Sequence, residues 1–497
     1  MIPLAALEAV IDASGVAPRI EAMLPIGVRA RQLKVRTLLA GMCLAQADHR
    51  PAHLTRVHQA LTGLTEDEQR RLGVIADWKG GPHQLTYRQT EYTFDLVTGA
   101  LGKDQPGGLA GRALQEACDD LLEASIPAEF KHASTSLAVD WTDLESFSRP
   151  PPARGGPCAD PEAWWGHRKN NLLRRIDELF YGYYFSAAIM MREENGPAVP
   201  EFARRAGLSS CRHDPVRAFA PVLTAMPAAG TPLGDVLADS GYAHRDADAW
   251  ALPLRAAGAA LVQDLHPHDR GPKGTHDGAI IANGNLYCPC TPRSLTGLGP
   301  PARDASRDDI AAHDTKTTEL GRYKLGRLTA DDQDGYHRVQ CPAAMGKIRC
   351  PLRPASMTLD RDRPEILTPP EHPPACCTQQ TLTVPPEVTA KTAQKHDYPS
   401  RSHRRSYARR TGAERTFATA KDPATNDISR GWCRLMGLTP LMLLTTTLLI
   451  VRNQRILQAW NARQDDIQHR AAKGLPPQTR RRRRTTLTTL AATTRPP

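Results

Sequence analysis

Residues 406–422 read SYARRTGAERTFATAKD, and the spacing within this stretch governs how the remaining chain is read. Tyr407, Arg410, Glu414 and Lys421 stand three, four and seven residues apart. At about 100° per residue on a helix, these four side chains fall within an arc of roughly 60°, a single stripe of one helix. A stripe of tyrosine, arginine, carboxylate and lysine is not a core face. It suits a place where a cation meets a phosphate backbone, with the carboxylate on the cation and the basic side chains on phosphate oxygens. Gly412, within the stripe, costs such a helix about 1 kcal/mol.

Acidic partners for Glu414 have to come from upstream. SLAVDWTDLESF at 136–147 reads as a strand and ELFYGYYFSAAIMM at 178–191 as a second, both rich in aromatic, β-branched or other apolar residues. Pro215 to Met226 suits a helix, LGDVLADSGY at 233–242 a short strand, Arg245 to Ala257 another helix, and AALVQDL at 259–265 a last strand. Asp140 lies within the first of these strands and Asp239 toward the end of the third. Asp143 competes with Asp140, and on a strand the two point to opposite faces. Taken alone, Asp239 also reads as a turn acid ahead of Gly241.

The pattern Tyr-x2-Arg-x3-Glu-x6-Lys resembles the signature of a large group of bacterial insertion-sequence transposases of the DDE type. Asp140-Trp141-Thr142 resembles the family's Asp-x-Thr at the end of the first strand, and Asp239-Ser240-Gly241-Tyr242 its Asp-x-Gly-Tyr after a later strand. The resemblance covers residues 136 to about 265 and 400 to 455. It implies an α/β fold with a ribonuclease-H-like mixed sheet flanked by helices, in which Asp140, Asp239 and Glu414 converge as the catalytic carboxylates. It also implies two Mg²⁺ or Mn²⁺ ions on those carboxylates. Such ions activate an attacking water or 3′-hydroxyl and stabilise the leaving oxygen of an in-line displacement. Tyr407, Arg410 and Lys421 would then contact DNA near the scissile phosphate, with Arg410 suited to a bidentate grip. The implied partners are double-stranded DNA, as terminal inverted repeats and as target, and a second copy of the chain assembled on DNA. Two rival readings keep the same core: a nuclease without strand transfer, and a DNA-binding derivative that has lost catalysis.

Outside the core, residues 1–130 read as a helical amino-terminal region, with Leu33, Val35, Leu38, Leu39 and Met42 set among Arg29, Arg31, Lys34 and Arg36. Thr65 and Glu68 form a capping box just after Gly63. This suits either a DNA-reading helix pair or a helical bundle with solvated arginines. The core would then comprise 131–265 and 400–460, the second part carrying the Glu414 helix. Between them, 266–399 is an irregular, proline-rich insertion bearing six of the eleven cysteines. Cys288, Cys290, Cys341 and Cys350 suit a structural Zn²⁺ by ligand type. Their C-x-C and C-x8-C spacing departs from paired C-x2-C knuckles, so buried thiols are the other reading. The 174 residues between Asp239 and Glu414 leave room for this module to cover the site, hold a second DNA end or mediate self-association.

The net charge of +11 favours a polyanionic partner. Residues 461–497, with the run Arg480 to Arg484, are expected to form a basic, disordered arm. Met1 to Gly15 holds Glu8 and Asp12 and no early Lys or Arg, unlike a secretory signal. Leu438 to Val451, the most apolar stretch, is short of the ~20 residues that span a bilayer and reads as a buried helix. The expected location is therefore the cytoplasm, on the nucleoid when DNA is bound, with no membrane partner.

Overall fold

The computed structural model describes residues 2–26, 31–49, 53–78, 80–152, 156–170, 175–302, 304–422 and 427–477. Arg29 and the Arg480 to Arg484 run lie outside the described residues. The architecture is mixed α/β, built on a six-stranded mixed sheet flanked by helices. Its strands are β1 (Leu137–Glu145), β2 (Trp164–Asn170), β3 (Arg175–Met190), β4 (Ala203–Ser210), β5 (Asp235–Ala238) and β6 (Ala260–Gln263). The long β3 pairs antiparallel with β1 along one edge and with β2 and then β4 along the other. β1, β5 and β6 follow in parallel. Helix Pro215–Thr224 connects β4 to β5, and helix Ala251–Ala256 makes the crossover between the parallel neighbours β5 and β6.

Alternation along β1 sorts its side chains between two cores. Leu137 and Val139 join Val236, Ala238, Phe219, Leu223 and Trp250 under the crossover helices. Ala138 and Leu144 face the larger core on the opposite side, with Phe185, Ala187, Ile189 and Phe417. By the same parity Asp140 belongs to the larger-core face, and the helix Thr411–Lys421, which carries Glu414 and Phe417, packs there.

That larger core is continuous with the amino-terminal helices. Leu7, Val35, Leu38, Leu114 and Leu121 share one buried cluster with Leu441, Leu444, Leu448 and Val451 of the helix Leu438–Ala472. Among the described residues, no helix is long and apolar enough to cross a membrane. The apolar segment is instead the buried first half of a 35-residue helix, which runs on past Arg452 to Ala472. The boundary expected at 460/461 therefore falls inside a helix.

The amino-terminal region is mostly helical, and the expected capping box is present: Thr65 Oγ1 accepts from Glu68 N, and Glu68 Oε2 from Thr65 N. The helix that it starts, Glu66–Arg71, has only six residues. A small hairpin of Ile75–Trp78 with Gly81–Gln84, not expected from the sequence, follows it. Between β6 and residue 401 the insertion holds two three-stranded sheets and the helix Arg307–Tyr323, and so has more regular structure than its composition suggested.

Two core strands were also missed, β2 and β4. In β4 the consecutive Arg204 and Arg205 are buried, and Glu123 takes both, at 2.6 Å and 3.0 Å. Asn453, fully buried on the long helix, closes the outer end of this strand. It accepts from Ala203 N at 2.8 Å and donates to Ala203 O at 2.9 Å and to Ser125 Oγ at 2.8 Å. Because a buried backbone group left without a partner costs about 1–3 kcal/mol, Asn453→Leu is expected to lower the unfolding free energy by roughly 2–4 kcal/mol. Urea denaturation measures this, and a loss below about 0.5 kcal/mol would mean that the strand end is held by something else.

Candidate active site

Two carboxylates from distant parts of the chain, Asp140 and Glu414, meet around one guanidinium with a third, Asp239, nearby; among the described residues the ligand atoms of these three do not all lie within 4.8 Å of one another. Arg410 ends a 3₁₀ turn, Ala408–Arg410, that links the helices Arg401–Tyr407 and Thr411–Lys421. Its Nη1 lies 3.3 Å from Asp140 Oδ2, and its Nη2 donates to Glu414 Oε1 one helical turn along. Asp140 and Glu414 therefore lie within the span of a single arginine head group. Asp239 sits just past the end of β5, where its Oδ1 accepts from Gly241 N at 2.9 Å and Tyr242 N at 3.4 Å. It is close enough to exchange charge effects with both Asp140 and Arg410.

The electrostatics mark this as an acid cluster with more negative charge than it can neutralise. Burial pushes the Asp140 carboxyl up, and the charges of Asp239 and Glu414 add to the rise. Arg410 and the Trp141 N–H only partly offset it, leaving Asp140 at about 7. Burial likewise raises Asp239, against the pull of Arg410 and its two backbone donors. Asp143 shows the contrast. Burial pushes it up too, but hydrogen bonds from Lys421 and Arg168 bring it below the ordinary range. Lys421 Nζ stands 2.7 Å from Asp143 Oδ1, and Arg168 Nη2 2.7 Å from Oδ2. Lys421 reaches Asp143, which parity assigns to the other face, along a stretch of β1 past Ala138, where pairing with β5 stops.

The motif residues have local reasons to be where they are. A Cβ on Gly241 would come within 2.5 Å of the Trp141 ring, so only glycine fits there. Tyr242 fills the space beyond, between Trp141 at 4.7 Å and Trp250 at 4.6 Å between ring centroids. Among the described residues, its buried hydroxyl has no hydrogen-bond partner. Gly412, costly in a helix on propensity alone, is also explained: a Cβ there would lie 2.5 Å from Met191 Sδ. Tyr407 is half-buried, stacked on His403 at 5.8 Å, with the Arg410 Cζ 5.6 Å from its ring centre. Of the expected DNA-contacting residues, Arg410 is thus held by two carboxylates and Lys421 by Asp143.

Two neighbours were not singled out in the sequence. Asp264 follows β6 as Asp239 follows β5, accepting from Tyr398 Oη at 2.7 Å and paired with Arg270 at 3.1 Å. Its only signal is an acid at the carboxyl end of a parallel strand. Arg409, beside the motif arginine, is buried, with Nη2 2.6 Å from Asp235 Oδ2.

In the insertion, Cys288, Cys341 and Cys350 lie in one small buried cluster with Cys290 at its margin. Cys376 and Cys377 fall in an adjoining cluster, their sulfurs 4.0 Å apart. Burial pushes the thiols of Cys288, Cys290 and Cys350 up. Among the described residues, no three of these sulfurs lie within 4.8 Å of one another.

No protein-family model matches the chain, and no curated protein matches it.

The raised Asp140 gives a pH test. Its folded value of about 7 exceeds the ordinary 3.8, so the folded state holds a proton that the unfolded chain releases between those values. The stability it contributes is present below about 4 and lost as pH rises through about 7. In metal-free buffer, Asp140→Asn is therefore expected to melt above the unsubstituted chain at pH 8 and to lose most of that advantage by pH 5. Thermal denaturation at both pH values decides it, and an offset independent of pH would mean that Asp140 ionises normally.

Proposed function

We propose that this chain is a DNA transposase of the DDE type, in which Asp140, Asp239 and Glu414 carry metal-dependent DNA cleavage and strand transfer. The observation that carries the reading is that Arg410 bridges Asp140 and Glu414 while Asp239 lies near enough for its charge to act on Asp140 and to feel Arg410, although Asp239 and Glu414 are separated by 174 residues of sequence. The strand order, with two parallel crossovers and the Glu414 helix laid along β1, is compatible with the ribonuclease-H-like core that the motifs imply.

The donor set fits a hard divalent cation. Three carboxylates offer oxygen ligands only, Asp140 is short of neutralising charge, and the orphaned Tyr242 hydroxyl lies beside Asp140 and Asp239. Asp140, Asp239 and Glu414 would hold Mg²⁺ or Mn²⁺, which when bound supplies activation of the attacking oxygen and stabilisation of the leaving one. Arg410 takes the neutralising role in the metal-free chain and becomes available to grip a phosphate once the acids are otherwise engaged. Tyr407 limits its movement from one side, and Lys421 sits farther along the same helix at Asp143, a second cation on the path of a DNA backbone. Asp143, committed to Arg168 and Lys421, is the poorer ligand, which favours Asp140. Cys288, Cys290, Cys341 and Cys350 share one apolar cluster with no three sulfurs within 4.8 Å of one another, which favours the reading as buried thiols over a structural Zn²⁺.

The test uses a supercoiled plasmid carrying the DNA that borders the gene, incubated with the full chain and Mg²⁺. Nicked, linear and joined products are expected, with Asp140→Asn, Asp239→Asn and Glu414→Gln each reducing their rate at least about 100-fold. Equal nicking by Asp239→Asn and the unsubstituted chain would refute the assignment. Cleavage that never yields joined products would point to the nuclease.

A further inference from the structure

A second cluster of ligand-type side chains lies at the same end of the sheet, built from residues that the acid trio does not use. His244 closes the short helix Ser240–Ala243, five residues after Asp239, and His266 opens the 3₁₀ turn Pro267–Asp269, two residues after Asp264. Ligand atoms of His244, His266 and Asp269 all lie within 4.8 Å of one another. Among the described residues this is the only such group of three or more His, Cys, Asp or Glu side chains.

The arrangement suits a cation better than it suits protons. The imidazoles of His244 and His266 are 3.9 Å apart between centroids and tilted by 30°, face to face at a distance where two imidazolium charges would repel. His268 stands edge-on to His266 at 4.8 Å, a third imidazole beside the pair. Asp269 is already oriented: Lys391 Nζ holds Oδ1 at 2.8 Å, which leaves Oδ2 turned toward His244 Nδ1 at 3.4 Å. The His268 backbone N–H donates to His266 Nδ1 over 3.3 Å, a long contact that a cation can displace. Two imidazoles and one carboxylate select borderline first-row dications over Mg²⁺, which prefers oxygen. Metal–ligand distances of about 2.0–2.2 Å need only side-chain rotation from this starting spread.

We propose that His244, His266 and Asp269 bind a first-row transition-metal dication such as Zn²⁺. This site is distinct from the hard-cation site at Asp140, Asp239 and Glu414. The bound ion clamps together the loops that follow β5 and β6, and with them the backbone that carries Asp239 and Asp264.

The experiment is Zn²⁺ titration of the full chain by calorimetry in excess Mg²⁺, comparing the unsubstituted protein with His244→Ala/His266→Ala and with Asp269→Asn. The double variant is expected to bind one equivalent less, and Asp269→Asn to bind that equivalent at least about 10-fold more weakly. Co²⁺ separates this site from the thiols of the insertion, since the double variant should lose visible ligand-field absorption and leave any thiolate-to-cobalt band unchanged. The three residues are partly buried, and circular dichroism checks that each variant folds. Equal stoichiometry and affinity in the double variant would overturn the proposal, as would no Zn²⁺ uptake by the unsubstituted chain. Because the readout is metal uptake, the result does not depend on whether the chain cuts DNA.

Discussion

The buried carboxylate of Asp235, at the start of β5, is the point to which the candidate site is tied. It takes Arg409 Nη2 at 2.6 Å and Lys395 Nζ at 2.8 Å, both from the segment by which the chain returns after its long insertion. Arg409 also donates to Ser406 and to the Arg192 carbonyl, so its guanidinium is fully engaged in a place that water does not reach. The same returning segment lies against β6: Lys395 N donates to Leu261 O at 2.9 Å, and Gln263 N to Gln394 Oε1 at 2.7 Å. Removing one partner of a buried ion pair costs about 3–5 kcal/mol. The position of the next residue, Arg410, and of Glu414 one turn on, is inherited from this anchorage.

Charge then decides what the neighbouring acids can do. Asp140 and Asp143 stand three residues apart on one strand, yet two cations hold Asp143 while Asp140 shares a single guanidinium with Glu414 and lies near Asp239. The first arrangement is a closed ion-pair network, and the second has negative charge to spare. Desolvation works in the same direction on both, and their partners push them further apart: two cations lower Asp143, while Asp239 and Glu414 raise Asp140.

Where local pattern and tertiary environment agreed, the elements could be read directly. β1, β3, β5, β6 and the crossover helices follow from apolar runs bounded by turn residues. β2 and β4 could not be read this way, because WWGHRKN and ARRAGLSS owe their strand state to β3 between them and, for Arg204 and Arg205, to Glu123 on a distant helix. The helical stripe from Tyr407 to Lys421 was visible as spacing, but the 3₁₀ turn inside it was not, since that turn is fixed by Arg409 reaching Asp235. Asp239 and Glu414 stood out because neighbouring residues frame them. Asp264, His244 and His266 carry no such frame, and only the fold brings them side by side.

The union of the amino-terminal helices with the helix Leu438–Ala472 in one core has a consequence for synthesis. At ribosomal speed, the roughly 400 residues between Leu38 and Leu441 take on the order of tens of seconds to emerge. Throughout that interval the apolar faces of the first helices lack their final cover, so burial of this core must wait until the last helix has emerged.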